Sequence, residues 1–262
     1  MGIAVVLSLC QPKTAAQALP TTPSITFNNF SAIYHLNRDA QNHSLLTTEE
    51  VILADFPTNG SFYGITRAIP KHYQGRNVEV KVLSVTDAAG TPLPYKAASD
   101  KNDNLVVTTG DPSIMLFGSQ TIRLNYQTRD VININAKNNE FLLDINGRGW
   151  SQPFNQVSAT IFIPKSFSAN LNSKPSCYIG YLNSTTYDCT IKSQESPQQT
   201  IITSKANSQL AAHHSLVVKT DFELATFSAK SSSKNKLLFG VMGGVAILAL
   251  AVFGYRRSVN IA

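Results

Sequence analysis

Alternation of apolar and polar positions dominates this chain. Over Thr121–Gln127, Ile122, Leu124 and Tyr126 fall on one face and Arg123, Asn125 and Gln127 on the other, the period of a strand with one buried side. Val157, Ala159, Ile161 and Ile163 repeat the pattern and stop at Pro164. Val78, Val80 and Val82 oppose Glu79 and Lys81 until the phase slips at Leu83 and Val85, which predicts a β-bulge. Further strands are predicted over Ser24–Leu36, Leu45–Phe56, Asn104–Thr108, Glu140–Asp144, Thr200–Thr203 and Ser215–Phe222, with Ala89-Gly90 and Asn146-Gly147 as turns between strands. Only Ser204–His213 reads as a short helix. With so few helical periods to serve as crossovers, a parallel βαβ sheet is not expected, and the expected fold is all-β, an antiparallel β-sandwich of Ig-like architecture.

One segment breaks the alternation. Leu237 to Tyr255 carries no charge, and as a helix rising 1.5 Å per residue it reaches about 28 Å, close to the thickness of a bilayer core. It is expected to be a transmembrane helix, flanked by Lys234 and Lys236 before it and Arg256 and Arg257 after it. At the other end, the apolar run Ile3–Leu9 and the small-x-small pattern Ala16-Gln17-Ala18 resemble a secretory signal, although no basic residue precedes the run. Leu9 before Cys10 argues against a lipoprotein box, and Val6 against Gly2 myristoylation. The expected layout is a signal peptide over 1–18, an extracytoplasmic β region over 19–222, a Ser/Lys-rich linker over 223–236, the membrane helix over 237–255 and a cytoplasmic stub over 256–262.

Charge sharpens this picture. The chain has a net charge of +6, and its charged fraction of 15% is well below the roughly 25% of an average soluble domain. Between Leu19 and Ser233 there are 17 Lys+Arg and 16 Asp+Glu, a net +1, so the basic excess flanks the apolar segments. Nucleic-acid binding, which needs basic residues clustered on one face, loses its support, and the lipid bilayer is the expected partner of that excess.

If Cys10 leaves with the signal, Cys177 and Cys189 remain as an even pair in an oxidising compartment and are expected to form a disulfide. Gly180 and Asn183-Ser184 between them suggest a hairpin. A metal pair or a redox site is disfavoured, because there is neither a CxxC unit nor a neighbouring histidine.

The stretch EEVILADF followed by GSFYGITRAIP, and the later FLLDINGRGWSQPFNQVSATIFIP, resemble the outer region of the bacterial membrane proteins grouped as domain of unknown function 2207. The resemblance runs from about Ser24 to Phe222. The family's motif positions fall on Glu50, Phe56, Gly64, Ile65, Arg67, Ile69 and Pro70, and further on Asn146, Trp150 and Pro164. It implies a signal peptide, a β-rich outer domain and at least one membrane helix, and it implies no known activity.

Within this frame, Glu50 shares a strand face with Leu46, Ile52, Ala54 and Phe56, so the period points a carboxylate inward. Arg67 is its natural partner, since a guanidinium can satisfy a carboxylate bidentately away from water. A structural Glu50–Arg67 pair is the expectation, with a catalytic carboxylate tuned by Arg67 as the rival. Trp150 is read as a core anchor ahead of a sugar-stacking platform. His213 and His214 are adjacent and would face opposite ways in a strand, and His35, His43 and His72 lie far apart, so no metal-ligand spacing exists. No GxSxG, HExxH, Walker or GxGxxG motif occurs and no cofactor is expected. Gly240 and Gly244 form a GxxxG pair that would permit a helix-mediated dimer. The functional expectation is a binding or structural module of the cell envelope with an envelope protein or glycan as partner. The alternative is a surface enzyme acting on a cell-wall or extracellular polymer.

Overall fold

The computed structural model describes residues 23–73, 75–180 and 186–229. The expected signal at 1–18, the expected helix at 237–255 with Gly240 and Gly244, and the 256–262 stub lie outside the described residues. Among the described residues no helix is long and apolar enough to cross a membrane.

The strands are β1 (Thr26–Arg38), β2 (Ser44–Phe56), β3 (Thr66–Pro70), β4 (His72–Tyr73), β5 (Arg76–Asn77), β6 (Glu79–Thr86), β7 (Tyr95–Ser99) and β8 (Asn104–Thr109). They continue as β9 (Gly118–Arg129), β10 (Asn133–Ile134), β11 (Asn139–Asp144), β12 (Val157–Pro164), β13 (Ser176–Gly180), β14 (Cys189–Glu195), β15 (Gln199–Ala206) and β16 (Ser215–Phe222). A single turn of helix, α1 (Lys165–Ser168), follows β12. The all-β expectation therefore holds. The largest sheet has seven strands in the order β14-β15-β12-β1-β2-β9-β6. A four-stranded sheet, β10-β11-β16-β13, and a three-stranded sheet, β3-β8-β7, complete the main architecture, with β4 and β5 as a small ribbon.

Period-two patterning sets the register. In β2 every second residue from Ser44 to Phe56 is buried, so a one-residue slip would turn the whole apolar set to solvent. The slip at Leu83 is a real irregularity: pairing of β6 with β9 shifts between Val82 and Ser84, and Leu83 is exposed. Inward residues of all three main sheets share one core.

The structure departs from the sequence expectations in several places. β1 and β12 run parallel, with Phe30 opposite Val157 and Tyr34 opposite Ile161, so the large sheet is mixed rather than antiparallel throughout. Alternation specifies a face and carries no direction, which explains the miss. Ser204–His213 is not helical. Its first residues extend β15, where Ser204 pairs with Ala159 and Ala206 with Cys189, and Leu210 then exchanges backbone hydrogen bonds with Phe154 at 2.9 Å. Pairing on both sides outweighs the modest helix preference of the Ala-rich segment. Packing also runs beyond Phe222: Phe227 is buried, its ring against Phe167 and Phe222.

The cysteine pair is bonded, with Cα atoms 6.3 Å apart. The two segments meet as an antiparallel pair at Ile179 and Thr186, as the hairpin expectation requires, but their strands continue into different sheets. Cys177 lies on β13 of the four-stranded sheet, opposite Val218, and Cys189 on β14 of the seven-stranded sheet, opposite Ala206. The bridge joins two sheets.

Candidate functional site

The inward face of β2 carries Glu50 into the core, opposite Ala32 of β1 and Leu124 of β9. It is 0% exposed, so it requires compensation on all sides. Arg67, the second residue of β3, provides it. Its Nε donates to Oε2 at 2.8 Å and its Nη2 to Oε1 at 2.7 Å. Tyr126 adds its hydroxyl to Oε1 at 2.8 Å. Arg67 Nη1 reaches Ala68 O at 2.9 Å, and the guanidinium carbon lies 5.7 Å from the centre of the Phe30 ring. Burial works against the charge of Arg67, but the attraction and hydrogen bonds of Glu50 outweigh it and hold its pKa above the ordinary value. Burial, and then the nearby Glu50 charge, push the Tyr126 hydroxyl well above the usual tyrosine range, so it stays protonated and keeps donating.

Sequence reasoning paired Glu50 with Arg67 but missed two contributors. Tyr126 pairs with Thr48 of β2, which places it diagonally from Glu50 on the same face; the alternation of β9 already put it inward. Gly147 is the other. Its φ is +72°, and a Cβ there would lie 2.6 Å from Arg67 Nη1. The turn glycine thus leaves room for the guanidinium as well as making the turn. Gly64 is similarly constrained, since a Cβ on it would lie 1.8 Å from Thr109 O.

Most of the motif residues converge on this region. Ile65 and Ile69 flank Arg67 and are buried. Asn146, fully buried, donates from Nδ2 to His214 O at 3.0 Å, accepts the Leu216 N–H at 3.1 Å, and offers its own carbonyl to Trp150 Nε1 at 2.7 Å. Trp150 packs edge-on against Phe27 and Phe154, with centroids 4.8 and 5.1 Å away. Its placement is that of a core anchor. Phe56 and Pro70 close β2 and β3, and Pro164 ends β12 ahead of α1. The histidines do not gather: His213 Nδ1 lies 3.1 Å from Arg148 O and His214 Nδ1 3.0 Å from Ala212 O. Among the described residues there is no group of three or more His, Cys, Asp or Glu side chains able to hold a metal ion.

Chemically, both oxygens of Glu50 are engaged and the group is sealed from solvent, so the arrangement joins β2, β3 and β9 and presents no free base. Fold and site together define an all-β domain knit around a buried carboxylate–guanidinium pair. Residues 32–241 match the family described as predicted membrane protein (DUF2207) N-terminal domain, and the chain belongs to that family. No curated protein matches the sequence. Among solved structures, a protease of Parabacteroides distasonis, described as putative, is 13% identical with a TM-score of 0.43, the match covering 75% of this chain and 40% of that one. An M1 zinc metallopeptidase from Deinococcus radiodurans is 12% identical, TM-score 0.46, over 74% of this chain and 42% of that one. Native yeast LTA4 hydrolase is 8% identical, TM-score 0.47, over 76% of this chain and 29% of that one. The chain thus spans less than half the length of these structures, and likeness at this level assigns neither fold nor activity.

Proposed function

We propose that this protein is a membrane-tethered β domain of the bacterial cell envelope, held outside the cytoplasm by a helix at Leu237–Tyr255, and that it works by contact with another envelope component. The sheets are read as a β-sandwich of Ig-like type, supported by the single core they share. Family membership supports the membrane setting.

The observation that carries the contact reading is an apolar tip. Between β8 and β9, Ile114, Met115 and Phe117 are 58%, 47% and 44% exposed. Leu116 between them turns inward, and its N–H donates to Phe62 O at 2.7 Å, which fixes the loop. Tyr63 and Tyr95, on segments bonded to the same loop, are also exposed. Scattered apolar side chains are ordinary on a surface, but large ones grouped on one loop mark a contact site. The tip lies where Phe56 pairs with Gly118. The described chain ends at the opposite end of β2, where Ser228 N–H donates to Asn42 O and Arg38 Nη1 to Thr226 O. A strand of 13 residues separates the two ends by about 40 Å, so the tip faces away from the expected tether.

A photocrosslinker at Phe117 in the full chain, activated on intact cells, is expected to capture an envelope component. The triple variant I114S/M115S/F117S is expected to lose capture of the same component from its neighbouring positions while changing stability by no more than about 0.5 kcal/mol. Equal capture by the variant, or a domain shielded from added protease on intact cells, would overturn the reading.

A further inference from the structure

Among the described residues β3 pairs only with β8, so the three-stranded sheet leaves one edge of β3 without a neighbouring described strand. That edge borders a cleft of about 380 Å³ whose walls include Ile25, Phe27, Thr66, Ala68, Asp100 and Trp150. The ladder determines what the edge offers. Thr109 N–H donates to Ile65 O at 2.9 Å, so Arg67 and Ile69 direct their backbone groups to β8. The N–H and C=O of Thr66 and the N–H of Ala68 then turn toward the cleft, while Ala68 O is already taken by Arg67 Nη1. No backbone hydrogen bond among the described residues joins this edge to the 149–152 segment, although Gly149 comes beside Ala68, a Cβ on it lying 3.8 Å from the Ala68 Cβ.

We propose that this cleft binds an extended peptide segment of a partner protein, added as a strand beside β3, with a basic side chain of the peptide set against Asp100. The inference deepens the reading of a contact module and rests on it. Outward-facing main-chain groups along an edge are a template for another strand, which supplies hydrogen bonds while flanking pockets select side chains. The cleft volume lies within the range of small ligand sites, about 300–1,000 Å³. Charge points the same way. Hydrogen bonds from Asn104, then Asn102, hold the Asp100 carboxyl below its usual range and keep it anionic. The cation in the same wall, Arg67, is already neutralised by Glu50. A sugar is disfavoured, because Trp150 is 6% exposed and its Nε1 is committed to Asn146 O, which leaves little of the indole for stacking.

The test is a phage-displayed random heptapeptide library panned against the full chain in detergent micelles. The expected result is enrichment of alternating apolar–polar sequences with Lys or Arg at one fixed position. Synthetic versions should weaken about tenfold, equivalent to about 1.4 kcal/mol, when that residue is changed to Glu. N-methylation of every second peptide nitrogen should cost a similar factor, with the intervening nitrogens tolerant, because only alternate N–H groups face β3. Thr66→Pro removes one cleft-facing N–H that makes no bond to β8, where an edge strand accepts proline, and should weaken binding about tenfold with the melting temperature retained. I114S/M115S/F117S should leave peptide binding unchanged. Equal enrichment on T66P, N-methyl sensitivity without a two-residue period, or no enrichment at all would overturn the cleft assignment. Loss of tip capture with peptide binding intact is expected for the triple variant alone, so the two readings fail separately.

Discussion

Replacing Arg67 with methionine should lower the stability of the domain by about 3–5 kcal/mol, the range for removing one partner of a buried ion pair. Glu50 would keep only the Tyr126 hydroxyl, and a fully buried carboxylate with one donor is left largely uncompensated. Glu50→Leu alone should cost a similar amount, since it leaves the guanidinium charged and closed off, with Ala68 O as its remaining hydrogen-bond partner among the described residues. The informative variant is the double one. E50L/R67M removes both charges, so its cost should fall well below the sum of the singles, leaving mainly the deprived Tyr126 hydroxyl and Ala68 carbonyl at about 1–3 kcal/mol each. Denaturant midpoints of the four proteins measure this coupling directly. Additive singles would show that the pair does not act as a unit, and a loss below about 1 kcal/mol in R67M would mean that water reaches the site.

The legible part of this lock follows from the geometry of a single strand. Period two in β2 fixed the direction of Glu50, and only one basic residue lay in the following motif to meet it. Gly147 and Tyr126 were visible as a turn residue and an inward aromatic, but their approach to the pair depends on tertiary placement. Nothing local in Asn146-Gly147 states that Arg67 Nη1 lies where a Cβ would stand. The same limit explains the larger misses. β1 and β12 are separated by more than a hundred residues, and their parallel pairing rests on which faces meet. The start of Ser204–His213 was resolved by strands on either side of β15, which a local window does not contain.

Reduction of Cys177–Cys189 should destabilise the domain by about 3 kcal/mol, the value for a loop of this length in the chain-entropy picture. The location of the bridge makes its effect specific. β14 is the outermost strand of the seven-stranded sheet, pairs among the described strands only with β15 and is largely exposed, so few apolar contacts hold it. β13 is likewise an edge strand, of the four-stranded sheet. Between the two cysteines the segments are already joined at Ile179 and Thr186, and the disulfide fastens two edges that continue into different sheets. Amide exchange after reduction should therefore rise first in Cys189–Glu195 and Ser176–Gly180, with β1, β2 and β12 protected until global unfolding, as expected for segments of low local stability. The C177A/C189A variant should reproduce the pattern without reductant. Uniform acceleration of exchange across the seven-stranded sheet would instead mean that the bridge stabilises only through the unfolded chain. Unchanged exchange in β13 and β14 would show that β15 and β16 already hold these edges in place.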